Sequence, residues 1–226
     1  MKYLLAVLCC GLLLVAVSRP VGAISCHCFQ DRSFDPTRPG ASDAYFLATA
    51  QNSLMAAALD VPRRTIVKAK MSGIDADLLW IVYYVVDRAG LDAADLLELW
   101  SGSGPERFLS RLDELSVEFD RSFLMTLTPE ADIGDVSDGA FESVMLAQLG
   151  VQKDVFERLE MSGASRRERC LAILISQLLA EDPTEIYQSV QSGRQSWSEA
   201  LTSTGLAPDR IEATWNKLIE IERKRL

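Results

Sequence analysis

Cys26-His27-Cys28 is the one compact run of soft metal donors in the chain, and His27 is its only histidine. Thiolate and imidazole together suit zinc or copper. Adjacent ligands rarely close a tetrahedral site alone, and no second Cys or His pair follows to complete one. A single residue separates the cysteines, unlike the Cys-x-x-Cys-His pattern of covalent haem. A Cys26–Cys28 bridge would close a small, strained ring of the readily reduced kind. A bridge from either cysteine to Cys170 would instead staple the N-terminal segment to a distant helix, worth about 2–4 kcal/mol in the chain-entropy picture. Cys26, Cys28 and Cys170 are therefore the disulfide or thiol candidates, and Cys26, His27 and Cys28 the metal candidates. Zinc or copper is what that cluster would take, and no other cofactor is expected. A Cys–His nucleophile pair would have to use His27 between two cysteines, so the balance leans away from an enzyme.

Carboxylates are the other chemistry on offer. Asp132, Asp135, Asp138 and Glu142 form an acidic stretch, but their spacing is not the alternate spacing of a calcium-binding loop. The stretch is expected to be a linker in which Asp138 caps the following helix. Hydrolysis by paired carboxylates needs two of them converging in a cleft, which spacing alone does not establish. Lys and Arg number 23 against 32 Asp and Glu, a formal net charge of −9. That balance argues against nucleic acid and anionic membranes as partners, since both require basic surface.

Residues 1–23 have the form of a secretory signal peptide. Lys2 precedes an apolar run from Tyr3 to Val17, and Val21-Gly22-Ala23 offers a cleavage site. The run is shorter than the ~20 apolar residues a spanning helix needs, and no membrane span is expected after its removal. Lipoprotein processing at Cys26 would want a leucine three places upstream, where Ala23 stands. Cys9 and Cys10 leave with the signal, and an odd number of cysteines remains. In an exported chain that implies a free thiol, an intermolecular bridge, a modified cysteine or a metal. Loss of Lys2 and Arg19 makes the mature chain more acidic still.

The remainder reads as helices. Residues 24–42, with Asp35-Pro36 and Pro39-Gly40, form an extended arm. Ser42 or Asp43 caps a helix ending at Leu59, Pro62 opens the next, and Gly73 ends it. Asp75 caps a third helix containing the unbroken apolar run Leu78 to Val86. Ser165 and Glu168, Asp182 and Glu185, and Ser196 and Glu199 have capping-box spacing. Trp80, Trp100, Trp197 and Trp215 fall at apolar positions and are expected in the core. A pattern also recurs after about ninety residues. Leu59-Asp60-Val61 and Met71-Ser72-Gly73 return as Leu149-Gly150-Val151 and Met161-Ser162-Gly163, and Asp92 returns as Asp182. With the register shortened by one residue, Gly104, Phe108, Leu112 and Asp120-Arg121 meet Gly193, Trp197, Leu201 and Asp209-Arg210.

Cys26-His27-Cys28-Phe29, Asp31-Arg32-Ser33-Phe34-Asp35-Pro36 and Tyr45-Phe46-Leu47-Ala48-Thr49-Ala50-Gln51-Asn52-Ser53 resemble the start of a family of uncharacterised exported bacterial helical proteins. The resemblance covers the N-terminal segment and fades through the first helices. It implies export and helical character, in a periplasmic or extracellular setting, and no activity or ligand.

The expected protein is all-α, with two tandem pseudo-repeats of about ninety residues, each a bundle of short helices around one apolar central helix. The units are 43–127 and 139–226, joined by 128–138. The expected function is that of an exported, non-enzymatic binding or interaction protein for another protein or a small ligand. The alternative is a thiol-redox or metal protein working through Cys26, His27 and Cys28.

Overall fold

The computed structural model describes residues 39–115, 117–128 and 130–225. Those residues form an all-α protein of eleven α-helices. They are α1 (Pro39–Ala58), α2 (Arg63–Met71), α3 (Ala76–Ala89), α4 (Ala93–Asp113), α5 (Arg121–Thr126), α6 (Ile133–Leu149), α7 (Lys153–Met161), α8 (Arg166–Leu179), α9 (Pro183–Gln191), α10 (Trp197–Ser203) and α11 (Ile211–Arg223), with a 3₁₀ turn at Pro208–Arg210. Helix starts are set locally. The carboxylates of Asp75, Asp92, Asp132 and Asp182 each accept the backbone N–H two residues on. Ser165 and Ser196 close reciprocal capping boxes with Glu168 and Glu199. Asp182 works through Thr184 N–H, with Pro183 in the first turn, rather than through a box with Glu185. Helix α4 is broken at Gly104, whose φ of 76° is left-handed, and Pro105 restarts it. Trp100 and Phe108 meet edge-on across the break, with ring centroids 5.4 Å apart.

The apolar run Leu78 to Val85 is buried as helix α3, and Cys170 to Ile175 is buried in α8. These two helices are centred in opposite halves of one continuous core. Trp80, Trp197 and Trp215 are buried in it. Several elements of the second half begin about ninety residues after those of the first: 63–71 precedes 153–161, 76–89 precedes 166–179, and α5 and α11 start at 121 and 211. That last pair sets Asp120 against Arg210, where the sequence pattern sets it against Asp209.

The first helix of each half packs mainly on the other half. Helix α1 lies against α11, α8 and α10, while α6 lies against α5 and α3. Trp215 Nε1 donates to the Ala50 carbonyl at 3.1 Å inside the α1–α11 contact. Arg167 Nε donates to Gln51 Oε1 at 3.2 Å between α8 and α1. Helix α1 begins at Pro39, ahead of the expected Ser42 or Asp43 cap. Asp43 instead accepts the backbone N–H groups of Trp197 and Ser198, at 3.2 and 2.7 Å. It therefore caps α10, whose first-turn donors need an acceptor and whose N-terminus favours a negative charge.

Tyr84, Arg88 and Asp120 tie α3 to the start of α5. The Tyr84 hydroxyl and Arg88 Nη2 both donate to Asp120 Oδ2 at 2.8 Å. Burial, reinforced by the hydrogen bond to Asp120, pushes the Tyr84 hydroxyl from 10.0 up to about 12. The folded state thus holds this proton more tightly than the unfolded chain does. Its contribution is fully present below pH 10 and is lost as pH rises towards 12, on the order of 2 kcal/mol in all. Urea midpoints followed from pH 8 to 12 are expected to fall more steeply in the wild type than in Tyr84→Phe. Parallel slopes would deny Tyr84 the role.

Candidate functional site

Asp132 caps α6, so the expected linker is already helical at Ile133. Asp138 therefore lies inside α6 and does not cap it. The three-, three- and four-residue steps from Asp132 through Asp135 and Asp138 to Glu142 follow one side of the helix. Val136, Ala140, Val144 and Met145 occupy the buried side. A cleft of about 490 Å³ opens beside the acidic stripe, between the end of α5, α6 and α7. Asp135, Asp138, Glu142 and Glu160 line it together with Met125 and Phe156. Met125 is 68% exposed, whereas Phe156 is part of the core. Gly139 lets α5 approach α6: a Cβ there would strike Thr126 Oγ1 and come within 3.0 Å of the Ser122 carbonyl.

Two arginines of α8 stand behind the acidic wall. Arg166 Nε donates to Asp138 Oδ1 at 2.7 Å, and its Nη1 pairs with Asp77 at the start of α3. Arg169, only 4% exposed, donates through Nη2 to Asp138 Oδ1 at 3.1 Å and through Nη1 to Glu160 Oε1 at 3.3 Å. Its guanidinium sits 4.9 Å from the Phe156 ring centroid and 5.5 Å from that of Phe141. Asp138 and Glu160 are thus neutralised from within. Asp135 and Glu142 have no hydrogen-bond or ionic partner among the described residues. No group of three or more His, Cys, Asp or Glu side chains among the described residues is placed to hold a metal ion. What the cleft offers is two carboxylates beside an exposed thioether. That combination fits an amphipathic cation.

A second groove, of about 600 Å³, has the opposite sign. It lies along α2, whose sequence RRTIVKAKM carries four basic residues and no acid. Arg63 is engaged, to Ser53 Oγ at 3.2 Å and to Glu212 of α11 at 3.3 Å. Arg64 and Lys68 are exposed on successive turns, with Val67 and the 42% exposed Met71 beside them.

Cys26, His27 and Cys28 lie outside the described residues, as do the proposed signal peptide and most of the arm. Cys170 is placed in the middle of α8 at 0% exposure, and burial pushes its thiol well above the ordinary range. A bridge to it would require a second sulfur within the packed interior. Under native conditions Cys170 is expected to react with iodoacetamide orders of magnitude more slowly than an exposed thiol, and at full rate in denaturant. Peptide mass mapping reads this directly, and rapid native labelling would contradict the burial. Sequence inspection marked the acidic residues but not the face they share, and it passed over the basic run on α2. Both signals were present, one as helical spacing and one as local charge against an acidic background.

No helix among the described residues is long and apolar enough to cross a membrane. Comparison with protein-family models, with curated proteins and with solved structures returns no match.

Proposed function

We propose that the protein is an exported, non-enzymatic interaction module, built from two related helical units, whose recognition surface is the cleft between α5, α6 and α7. The observation that carries this is the pair Asp135 and Glu142, unpaired and two turns apart, beside the exposed Met125. Carboxylates held this way select basic side chains, and methionine adapts to the apolar surface between them. The partner is accordingly a polypeptide segment with lysine or arginine at helical spacing on an otherwise apolar face.

Fluorescence anisotropy tests this with a labelled lysine–leucine amphipathic peptide and its glutamate–leucine counterpart. The basic peptide is expected to bind and the acidic one not. Asp135→Asn/Glu142→Gln is expected to weaken binding about tenfold, as two partly exposed charge pairs would. Equal binding of both peptides, or of neither, would sink the reading. Export rests on Lys2, the apolar run Tyr3 to Val17 and the small residues before Ile24. Intact mass of the protein recovered from producing cells is expected to start at Ile24. A mass starting at Cys26 with acyl chains would make it a lipoprotein, and an uncleaved chain would remove the export signal.

A further inference from the structure

We propose that the protein associates head to tail with a second copy of itself, the basic face of α2 in one copy lying on the acidic cleft of the next. This rests on the cleft being a site for cationic segments and names the segment.

Helices α2 and α7 occupy corresponding places in the two halves, 63–71 and 153–161. They differ in charge. Helix α2 has Arg63, Arg64, Lys68 and Lys70 with no acid, in a chain of net charge −9. Helix α7 has Asp154, Glu157 and Glu160 against Lys153 and Arg158, which pair with Glu157 and Asp154, and it supplies Glu160 to the acidic cleft. The unpaired cations thus lie on α2 in the first half, in a groove that Glu212 of α11 also lines, and the carboxylates of the cleft come from α6 and α7 in the second.

The two grooves match in detail. The side chains of Arg64 and Lys68 have no hydrogen-bond or ionic partner among the described residues, and neither have those of Asp135 and Glu142. The cations stand about 6 Å apart along α2 and the carboxylates about 10 Å apart along α6, a difference that long basic side chains span. Each groove carries an exposed methionine, Met71 on one side and Met125 on the other. Lysine and arginine stems with Val67 between them supply the apolar surface that Met125 needs.

Because the matched surfaces are different patches of one chain, the contact is heterologous and leaves one free face of each sign on every dimer. Further copies add until a ring closes or the protein is exhausted. Salt acts on this in two directions. Two bodies whose full chain carries a net charge of −9, and which are more acidic still without Lys2 and Arg19, repel each other over long range at low salt. Near 0.15 M the Debye length is about 8 Å, which screens the bodies and spares the contact. At about 1 M the contact itself is screened. Association should therefore peak at intermediate salt.

Sedimentation equilibrium of the purified protein, at micromolar to high micromolar concentration and at 20, 150 and 1000 mM NaCl, tests this. The wild type is expected to show concentration-dependent association that is strongest at 150 mM. Arg64→Ala/Lys68→Ala and Asp135→Asn/Glu142→Gln are each expected to weaken association about tenfold or more, while keeping the wild-type helical signal. Mixed together, these two variants should pair one to one and go no further, since each retains the one surface the other lacks. A wild type that stays monomeric throughout, or association that neither variant disturbs, would overturn the proposal. In the monomeric case the basic peptide separates the two readings. If it still binds the cleft, self-association fails alone; if it does not, the cleft assignment fails with it.

Discussion

Expressed separately, residues 39–127 and 128–226 are expected to remain unfolded, and a one-to-one mixture to regain the helical fold. The expectation follows from where α1 and α6 pack. Phe46, Ala50, Leu54 and Met55 of α1 are fully enclosed, and the main neighbours of their helix are α8, α10 and α11 of the other half. The first half alone would leave that face in water, and the second half alone would deny α6 its seat on α3 and α5. A buried Phe, Leu or Met side chain is worth about 1.5–3 kcal/mol against exposure. Three of them rival the 5–15 kcal/mol by which whole domains are stable. Isolated helices of these lengths are marginal in water even when their sequences favour helix. Far-ultraviolet circular dichroism and sedimentation of each fragment, then of the mixture, would measure this. Recovery should depend on concentration, because folding is then coupled to association. A single half that is monomeric and melts cooperatively would show that the exchange of first helices is not what holds the fold.

That exchange was invisible in the sequence, and the reason is physical. Capping is a contest settled within four residues, so Asp75, Asp92, Ser165 and Ser196 were all legible as helix starts. Burial of α3 was legible from an unbroken apolar run. Nothing local says which neighbour an apolar face will meet. Asp43 shows the cost of that gap. Its residue type and position suited a cap on its own helix, and it does cap a helix, but one more than 150 residues away. Asp138 shows the same gap on the side of the site. An aspartate ahead of an apolar stretch reads as a cap, yet here α6 starts earlier and Asp138 meets two arginines from α8. The acidic spacing would have placed the four residues on one side of a helix had the helix been recognised. The arginines behind them carried no comparable signal, because a buried arginine in sequence looks like an exposed one.

Arg169 decides what those buried ion pairs are for, and two substitutions separate the answers. Arg169→Ala is expected to destabilise by about 2–4 kcal/mol, through the void it opens and the loss of stacking on Phe141 and Phe156. The carboxylates add little to that cost. Glu160 is largely exposed and Asp138 keeps Arg166, so neither is stranded in the interior. Arg169→Met fills the same space, removes a buried cation and removes an Nε that has no partner. Its stability is expected within about 1 kcal/mol of the wild type, as replacement of buried ion pairs by apolar side chains often is. The two variants are measured by urea denaturation at pH 7. Their effect on the cleft should run the other way, because Arg169 neutralises two of its four lining carboxylates from behind. Taking that charge away while keeping the packing should raise affinity for the basic peptide several-fold at low salt and leave the acidic peptide unbound. If Arg169→Met is instead as unstable as Arg169→Ala, the ion pairs themselves hold α8 to α6 and α7, and the acidic wall exists for the fold. If it is stable and the affinity is unmoved, the cationic ligand does not sense Asp138 or Glu160, and recognition rests on Asp135 and Glu142 alone. A stable Met variant with tightened binding is the outcome in which Arg169 sets the charge of a recognition cleft.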